Sequence, residues 1–347
     1  MAKMTLIRTV GCAVLIGLGG LGLAAQDRPP VSGPVLGFVS EGPAGIRPIL
    51  GLPGAATLGR PTWAARRSEA VVFSPTRDYA LALHLPDHRV ALLRGLSAAA
   101  SAVDLPVPAG AGRIAISPSG DTAVLYYPES RSVAVLAGLP ESPSLSWSLE
   151  VPHLIGGLAA LAVSDGAGAV LLAAGVDQSP VWLVSADGGA QVLSYVATAP
   201  SLAFLAGSRD ALIADGGAGT VTLARHGEGP IQLTQIGGAV EGVSRPVAVA
   251  AAAGNQSVLV ANSAPAGVVT LSLAGGDPSV VPCNCHVTVL EPLAGGTTFR
   301  VSEPGEGPLW LLDTASSPPR MVFVPDEAPA RAIPVRAPSP LRPGGDR

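Results

Sequence analysis

The stretch ALIADGGAGTVTLA, residues 211–224, decides the fold. It is an apolar run, a turn and a second apolar run, and each run is shorter than a stable helix needs. Asp215, Gly216 and Gly217 supply the turn, because Asp-Gly is a hairpin signature and glycine accepts the positive φ that such turns require. The same unit recurs as VLGFVSEGPAGIRPIL from Val35, YALALHLPDHRVALL from Tyr79, TAVLYYPESRSVAVL from Thr122 and AVLLAAGVDQSPVWLV from Ala169. Two more copies follow, SVLVANSAPAGVVTLS from Ser257 and PLWLLDTASSPPRMVFV from Pro308. The seven starts are separated by 44, 43, 47, 42, 46 and 51 residues.

A third element precedes most copies: AVVFSP at Ala70, RIAISP at Arg113, LAVSDG at Leu161, SLAFLAG at Ser201 and FRVSEP at Phe299. A weaker fourth follows, as in ASAVDLPVP from Ala100. Four short strands every ~40–50 residues are the pattern of one propeller blade. Runs such as Ala169–Ala174 are apolar throughout, as expected of strands covered on both faces; one-sided sheets alternate instead. The expectation is therefore an all-β chain, a single β-propeller of seven four-stranded blades over residues 34–337. A six-bladed ring would result if the first copy paired into the seventh.

No inner strand is recognisable before Val35, while the chain continues past the last copy through RAIPVRA, residues 331–337. A ring with an open edge invites aggregation, so closure predicts a strand exchange between the termini, with either terminus as donor. Residues 338–347, rich in Pro and Gly, read as a disordered tail.

The units LIADGGAGTVTLA and VLVANSAPAGVVTLS resemble the repeats of bacterial YVTN-type propellers, and the Phe73-Ser74-Pro75 and Ile116-Ser117-Pro118 elements resemble inner strands of WD40-type blades. The resemblance spans roughly residues 34–337 and implies a fold, since propellers serve many purposes. No copy carries the WD dipeptide or the GH of WD40 blades, so assembly of eukaryotic-style complexes is not implied.

Residues 1–25 place Lys3 and Arg8 before an apolar run from Thr9 to Leu23 and end on Ala24 and Ala25. That layout is a secretory signal peptide, with cleavage near Ala24 or Ala25; an uncleaved anchor is the alternative. Cys12 lies inside the apolar run, whereas a lipidated cysteine should follow it. The later apolar stretch from Ile155 to Val176 is interrupted by Ser164, Asp165 and glycines, and falls in register with the repeat as two strands. The expected location is periplasmic or secreted, with no membrane attachment after cleavage.

The whole chain has 21 basic and 25 acidic residues, net −4; loss of Lys3 and Arg8 leaves 19 against 25, net −6. Such a chain lacks a basic footprint for nucleic acid. Lys3 is the only lysine, so the mature chain is excluded from Schiff-base chemistry and from a lysine base. The nucleophile elbow, the P-loop, H-E-x-x-H and a dinucleotide fingerprint are also missing. No catalytic, cofactor or metal residue is therefore assigned, and no cofactor is expected.

Isolated residues give little more. His84 and His88 sit four apart across a turn, a spacing that converges on a metal in a helix and diverges in a hairpin; His153, His226 and His286 stand in unrelated contexts. Asp87, Asp165, Asp177, Asp187 and Asp215 read first as turn residues, and none forms the run of a calcium loop. Trp63, Trp147, Trp182 and Trp310 are expected at different positions of their units, without a ring of one per blade. Cys283 and Cys285 are the only cysteines after signal removal and fall in the longest spacing, which reads as a loop insertion. In an oxidising compartment they are a disulfide candidate. Free thiols, or a metal or redox role with His286 as third ligand, are the alternatives.

The functional expectation is a non-catalytic interaction scaffold, a monomer whose partner is a protein or an envelope polymer. The alternative is a propeller hydrolase of lactonase or esterase type with its site at the central channel. Enzyme sites concentrate titratable residues, and only 13% of this chain is charged.

Overall fold

The computed structural model describes residues 33–325 apart from positions 43–44, 64–67, 99, 153, 155, 199–200, 228 and 306. The expected signal at 1–25, His153, RAIPVRA and the tail at 338–347 lie outside the described residues.

Blade 1 holds β1 (Val35–Ser40), β2 (Ile46–Leu50) and β3 (Thr57–Leu58). Blade 2 holds β4 (Ser68–Phe73), β5 (Tyr79–His84), β6 (Arg89–Arg94) and β7 (Ser101–Asp104). Blade 3 holds β8 (Arg113–Ile116), β9 (Thr122–Tyr127), β10 (Ser132–Ala137) and β11 (Ser144–Glu150). Blade 4 holds β12 (Leu158–Val163), β13 (Ala169–Ala174), β14 (Ser179–Ser185) and β15 (Ala190–Val196). Blade 5 holds β16 (Ser201–Phe204), β17 (Ala211–Asp215), β18 (Thr220–Arg225) and β19 (Gln232–Gly237). Blade 6 holds β20 (Pro246–Ala251), β21 (Ser257–Ser263), β22 (Ala266–Ser272) and β23 (Ser279–Pro282). Blade 7 holds β24 (Glu291–Pro292), β25 (Thr298–Arg300), β26 (Leu309–Asp313) and β27 (Arg320–Val324). Each sheet is an antiparallel meander in chain order, and the described helices are short 3₁₀ turns.

Seven apolar clusters join the blades pairwise, and their membership shows that the ring closes at seven. Leu81 and Leu125 share the cluster between blades 2 and 3, Val124 and Leu172 that between 3 and 4, and Leu171 and Ile213 that between 4 and 5. Leu212 and Val258 meet between blades 5 and 6, and Leu259 and Phe299 between 6 and 7. Ile49 and Leu311 meet between blades 7 and 1, and Phe38 and Ala82 between 1 and 2. Second strands are buried on both faces, as in Ala169–Ala174, where all six residues are buried. Each such leucine contributes about 1.5–3 kcal/mol by leaving water.

Outer strands are the exposed edges, and they are managed in two ways. Some are short or carry charge or proline: β3 has two residues, β7 ends on Asp104, β23 on Pro282, and β27 begins with Arg320. The longest, β11, β15 and β19, each carry a register shift against the third strand, at Val135/Leu136, Val181/Trp182 and Val221/Thr222. A bulge twists an edge away from further pairing.

The backbone corrects the phase of the last repeat. In blades 2 and 3 the inner turn is closed by Ser74 N–H to Tyr79 O at 3.0 Å and Ser117 N–H to Thr122 O at 2.9 Å. The matching bond in blade 7 is Leu293 N–H to Thr298 O at 2.8 Å. FRVSEP is therefore the second strand and not an inner one, and LWLLD and RMVFV are the third and outer strands. The second strands of blades 6 and 7 then start 41 residues apart, at Ser257 and Thr298, and the long spacing disappears. The connection carrying Cys283 and Cys285, residues 283–290, is as long as the one at 105–112, so it is no insertion.

Blade 1 starts one strand late. Phe38 of β1 and Ile46 of β2 pack against Ala82 of blade 2 as Leu83 of the second strand and Val90 of the third strand of blade 2 pack in the cluster with Leu125 of blade 3. So β1, β2 and β3 are the second, third and outer strands, and among the described residues blade 1 has no inner strand.

Candidate functional site

The inner strands of blades 2 to 7 surround a central cavity of about 410 Å³. Its walls are Val72, Ala115, Leu161, Leu202, Val249 and their neighbours, with Arg77, Ser117, Glu291 and Asn255 as polar members. One mouth is formed by the turns from inner to second strand, and these turns build themselves. Ser74 Oγ and Thr76 Oγ1 donate to Asp78 Oδ1 at 2.8 and 2.5 Å; Ser117 Oγ and Ser119 Oγ donate to Asp121 Oδ1 at 3.1 and 2.7 Å. Burial pushes both carboxyls up, but the hydroxyl hydrogen bonds outweigh it and hold them below the ordinary carboxylate range. Tyr79 reaches across to blade 3, donating its hydroxyl to Gly120 O at 2.6 Å; burial, then Asp78, Asp121 and Glu141, push that phenol well up. Gly120 adopts φ +83°, which only glycine takes freely.

The turns are also stitched to one another. Asp165 of blade 4 accepts from Ser119 N–H at 2.8 Å through Oδ1 and from Gly207 N–H at 2.7 Å through Oδ2, joining blades 3, 4 and 5. Asn255 of blade 6 clamps Ala206 of blade 5 through both amide atoms, at 3.1 and 2.7 Å. In sequence Asp165 looks like any other turn residue; its spanning role depends on the neighbouring blades and carries no local signal.

The most unusual group lies at the seam around blade 1. Arg77 occupies the turn between β4 and β5 with φ 62°, where blade 3 uses Gly120, and its side chain is almost wholly buried. Its guanidinium lies 5.5 Å from the Phe73 ring centroid, and Nη1 donates to Glu291 Oε1 at 3.0 Å. Nη2 donates to Pro292 O. Glu291 Oε2 accepts from Arg300 Nε and Nη2 at 2.8 and 2.6 Å, and Arg300 Nη1 donates to Glu303 Oε2 at 2.7 Å. The link therefore runs from blade 2 to blade 7, past the inner end of blade 1. Burial pushes the Glu291 carboxyl up, and the two guanidiniums pull it below its ordinary value. Arg77 is lowered by burial against the pull of Glu291, whereas Arg300 is raised, because Glu291 and Glu303 together outweigh its burial.

The sequence candidates are scattered. Asp87 pairs with Arg89 at 2.6 Å, Asp187 caps Gly189 N–H at 3.0 Å, and buried Asp215 accepts from Ala197 N–H at 2.6 Å and Gly217 N–H at 2.9 Å. Asp177 lies in the turn between β13 and β14. His84 Nδ1 meets Ser68 Oγ at 3.2 Å and His88 Nδ1 meets Glu69 Oε2 at 3.1 Å, so the two rings have separate partners. His226 is lowered by burial and by Arg209, with Asp210 opposing. Among the described residues, no three of His, Cys, Asp and Glu gather as metal ligands. Cys283 and Cys285 are joined as a disulfide with Cα atoms 5.1 Å apart, on the connection into blade 7 that also carries His286. Trp182 and Trp310 occupy the same third-strand position of blades 4 and 7, opposite Leu172 and Val301; the misplaced last repeat had hidden that equivalence.

The fold defines the class: this chain is a seven-bladed β-propeller. No family model matches the sequence, and no curated protein sequence matches it. Among solved structures, it is similar to a functionally unknown protein from Desulfotomaculum acetoxidans, at 14% identity and TM-score 0.49, covering 68% of this chain and 75% of that one. It is also similar to a chain of a nidogen/laminin complex, at 12% identity and TM-score 0.47, covering 69% of this chain and 89% of that one. At these levels neither structure transfers a function.

Proposed function

We propose that the chain is an exported, non-catalytic interaction propeller of the YVTN/WD40-like kind, acting in the periplasm or outside the cell. The observation that carries this reading is how the acidic side chains at the blade ends are used. Asp78, Asp121, Asp165 and Asp187 are engaged with hydroxyls or backbone N–H groups of turns at one end of the blades, which fixes those loops as a rigid display surface, and Asp215 is engaged in the same way at the other end. A preorganised surface loses little entropy when a partner docks. Its partner is a protein or an envelope polymer, and the excess of acidic over basic residues disfavours nucleic acid.

Affinity capture from envelope extracts with the mature chain, scored against a charge-matched control propeller, tests the proposal; a specific partner retained at physiological salt is the expected result. One calcium or zinc per purified chain, together with turnover of lactone or ester substrates, would instead establish the hydrolase alternative.

A further inference from the structure

At five of the blade interfaces, one cross-strand pair of the inner and second strands faces the next blade, and it is apolar each time. The pairs are Val72–Leu81, Ala115–Val124, Ala162–Leu171, Ala203–Leu212 and Ala250–Leu259. In blade 7 the same pair is Glu291–Arg300, and it faces blade 1, where no inner strand is described. Arg77 completes the exception from blade 2: its turn position takes a positive φ in blades 3, 4, 6 and 7 as well, at Gly120, Ala167, Asn255 and Gly296, and what sets Arg77 apart is the side chain that reaches Glu291 of blade 7.

We propose that Arg77, Glu291 and Arg300 form an ionic latch that fastens blade 7 to blade 2 across the inner end of blade 1, and that protonating Glu291 opens the ring at this seam before the blades melt. The charged groups around Glu291 are Arg77, Arg300 and, beyond Arg300, Glu303. Loss of its one negative charge leaves two buried guanidiniums, with Glu303 reaching only Arg300. The other ties at this seam are the Pro292 carbonyl, the stacking of Phe38 on Phe73 with ring centroids 6.2 Å apart, the Ala294 N–H bond to Leu36 O at 2.8 Å, and the apolar clusters that join blade 1 to blades 7 and 2. Because Glu291 is held below its ordinary value when folded, the latch is fully made above the unfolded-chain value of about 4.3 and is lost as pH falls through the folded value.

Acid alone is not diagnostic, because Asp78 and Asp121 are depressed too. The test is amide hydrogen exchange of the full chain read by mass spectrometry. In Glu291→Gln at neutral pH, exchange at 68–84 and 287–301 should rise together by about tenfold or more, with blades 3 to 5 unchanged. An unchanged seam, or an equal rise in every blade, would overturn the latch. Should that variant not fold, the triple change Arg77→Ala, Glu291→Val, Arg300→Leu installs the apolar pair of blade 2. It should keep seam protection on acidification, relative to blades 3 to 5, while the wild type loses it; acid loss equal to wild type would also overturn the proposal.

Discussion

The interface between blades 4 and 5 and the seam between blades 7 and 2 use one backbone geometry for opposite chemistries. At the first, Ala162 and Leu171 face an apolar neighbour, and neither side chain needs a hydrogen bond. At the second, Glu291 and Arg300 stand at the equivalent positions, and Arg77 crosses to them from another blade. Apolar packing is non-directional and tolerates repetition, so it suits interfaces that differ only in sequence detail. An ion triad is directional and fails when one member is lost, so it specifies one arrangement and can be switched. Gly37 marks the same boundary, since a Cβ there would lie 2.8 Å from Leu293 of blade 7.

The strongest way to break the comparison is to damage the apolar side. Leu171 is fully buried, and Leu171→Ala should cost about 2–5 kcal/mol in urea unfolding, because the rigid blades cannot collapse into the space. A cost below about 1 kcal/mol would mean that blade packing is looser than the burial implies. A smaller effect belongs to the hydrogen bond linking blades 2 and 3. Tyr79→Phe leaves the Gly120 carbonyl without its 2.6 Å donor and should cost about 1–2 kcal/mol, with a matching loss of exchange protection in the 117–122 turn.

Much of this architecture is legible in sequence, and the reasons differ by element. Units such as Tyr79–Arg94 declare themselves because both strands are buried on both faces and the turn uses Pro, Asp and His in a fixed place. Blade 7 is misphased by the same logic, because LWLLD and RMVFV look more like a core pair than Thr298–Arg300, whose apolar pattern is broken by the ion-paired Arg300. The chemistry that makes the seam distinctive is therefore what hides its phase. Arg77 was equally unreadable, since its partners lie 214 and 215 residues away. The capping role of Ser74, Asp78, Ser117 and Asp121 was only half visible: the repeated Ser-Pro and Asp pattern marked a turn, while the bonds within it depend on side-chain reach.

The smallest effect sharpens the comparison by asking whether a covalent tie beside the seam adds to the ionic one. Cys283 and Cys285 close a ring of three residues on the connection into blade 7 and pack with the cluster between blades 6 and 7. In the chain-entropy account, stabilisation grows with the logarithm of the closed loop, and three residues give about 1.6 kcal/mol at most. The bond fixes a turn that Cys283 N–H to Ala266 O already holds at 3.0 Å, so less than that maximum remains to be lost. Cys283→Ser should therefore leave the fold intact, lower stability by no more than about 1 kcal/mol, and leave exchange at 287–301 unchanged. Alkylation followed by mass spectrometry, with and without reductant, establishes the starting state: no labelled cysteine before reduction and two after it. Two labelled cysteines in the unreduced mature chain would rule the disulfide out, and a rise in seam exchange in the serine variant would show that the covalent and ionic ties act as one.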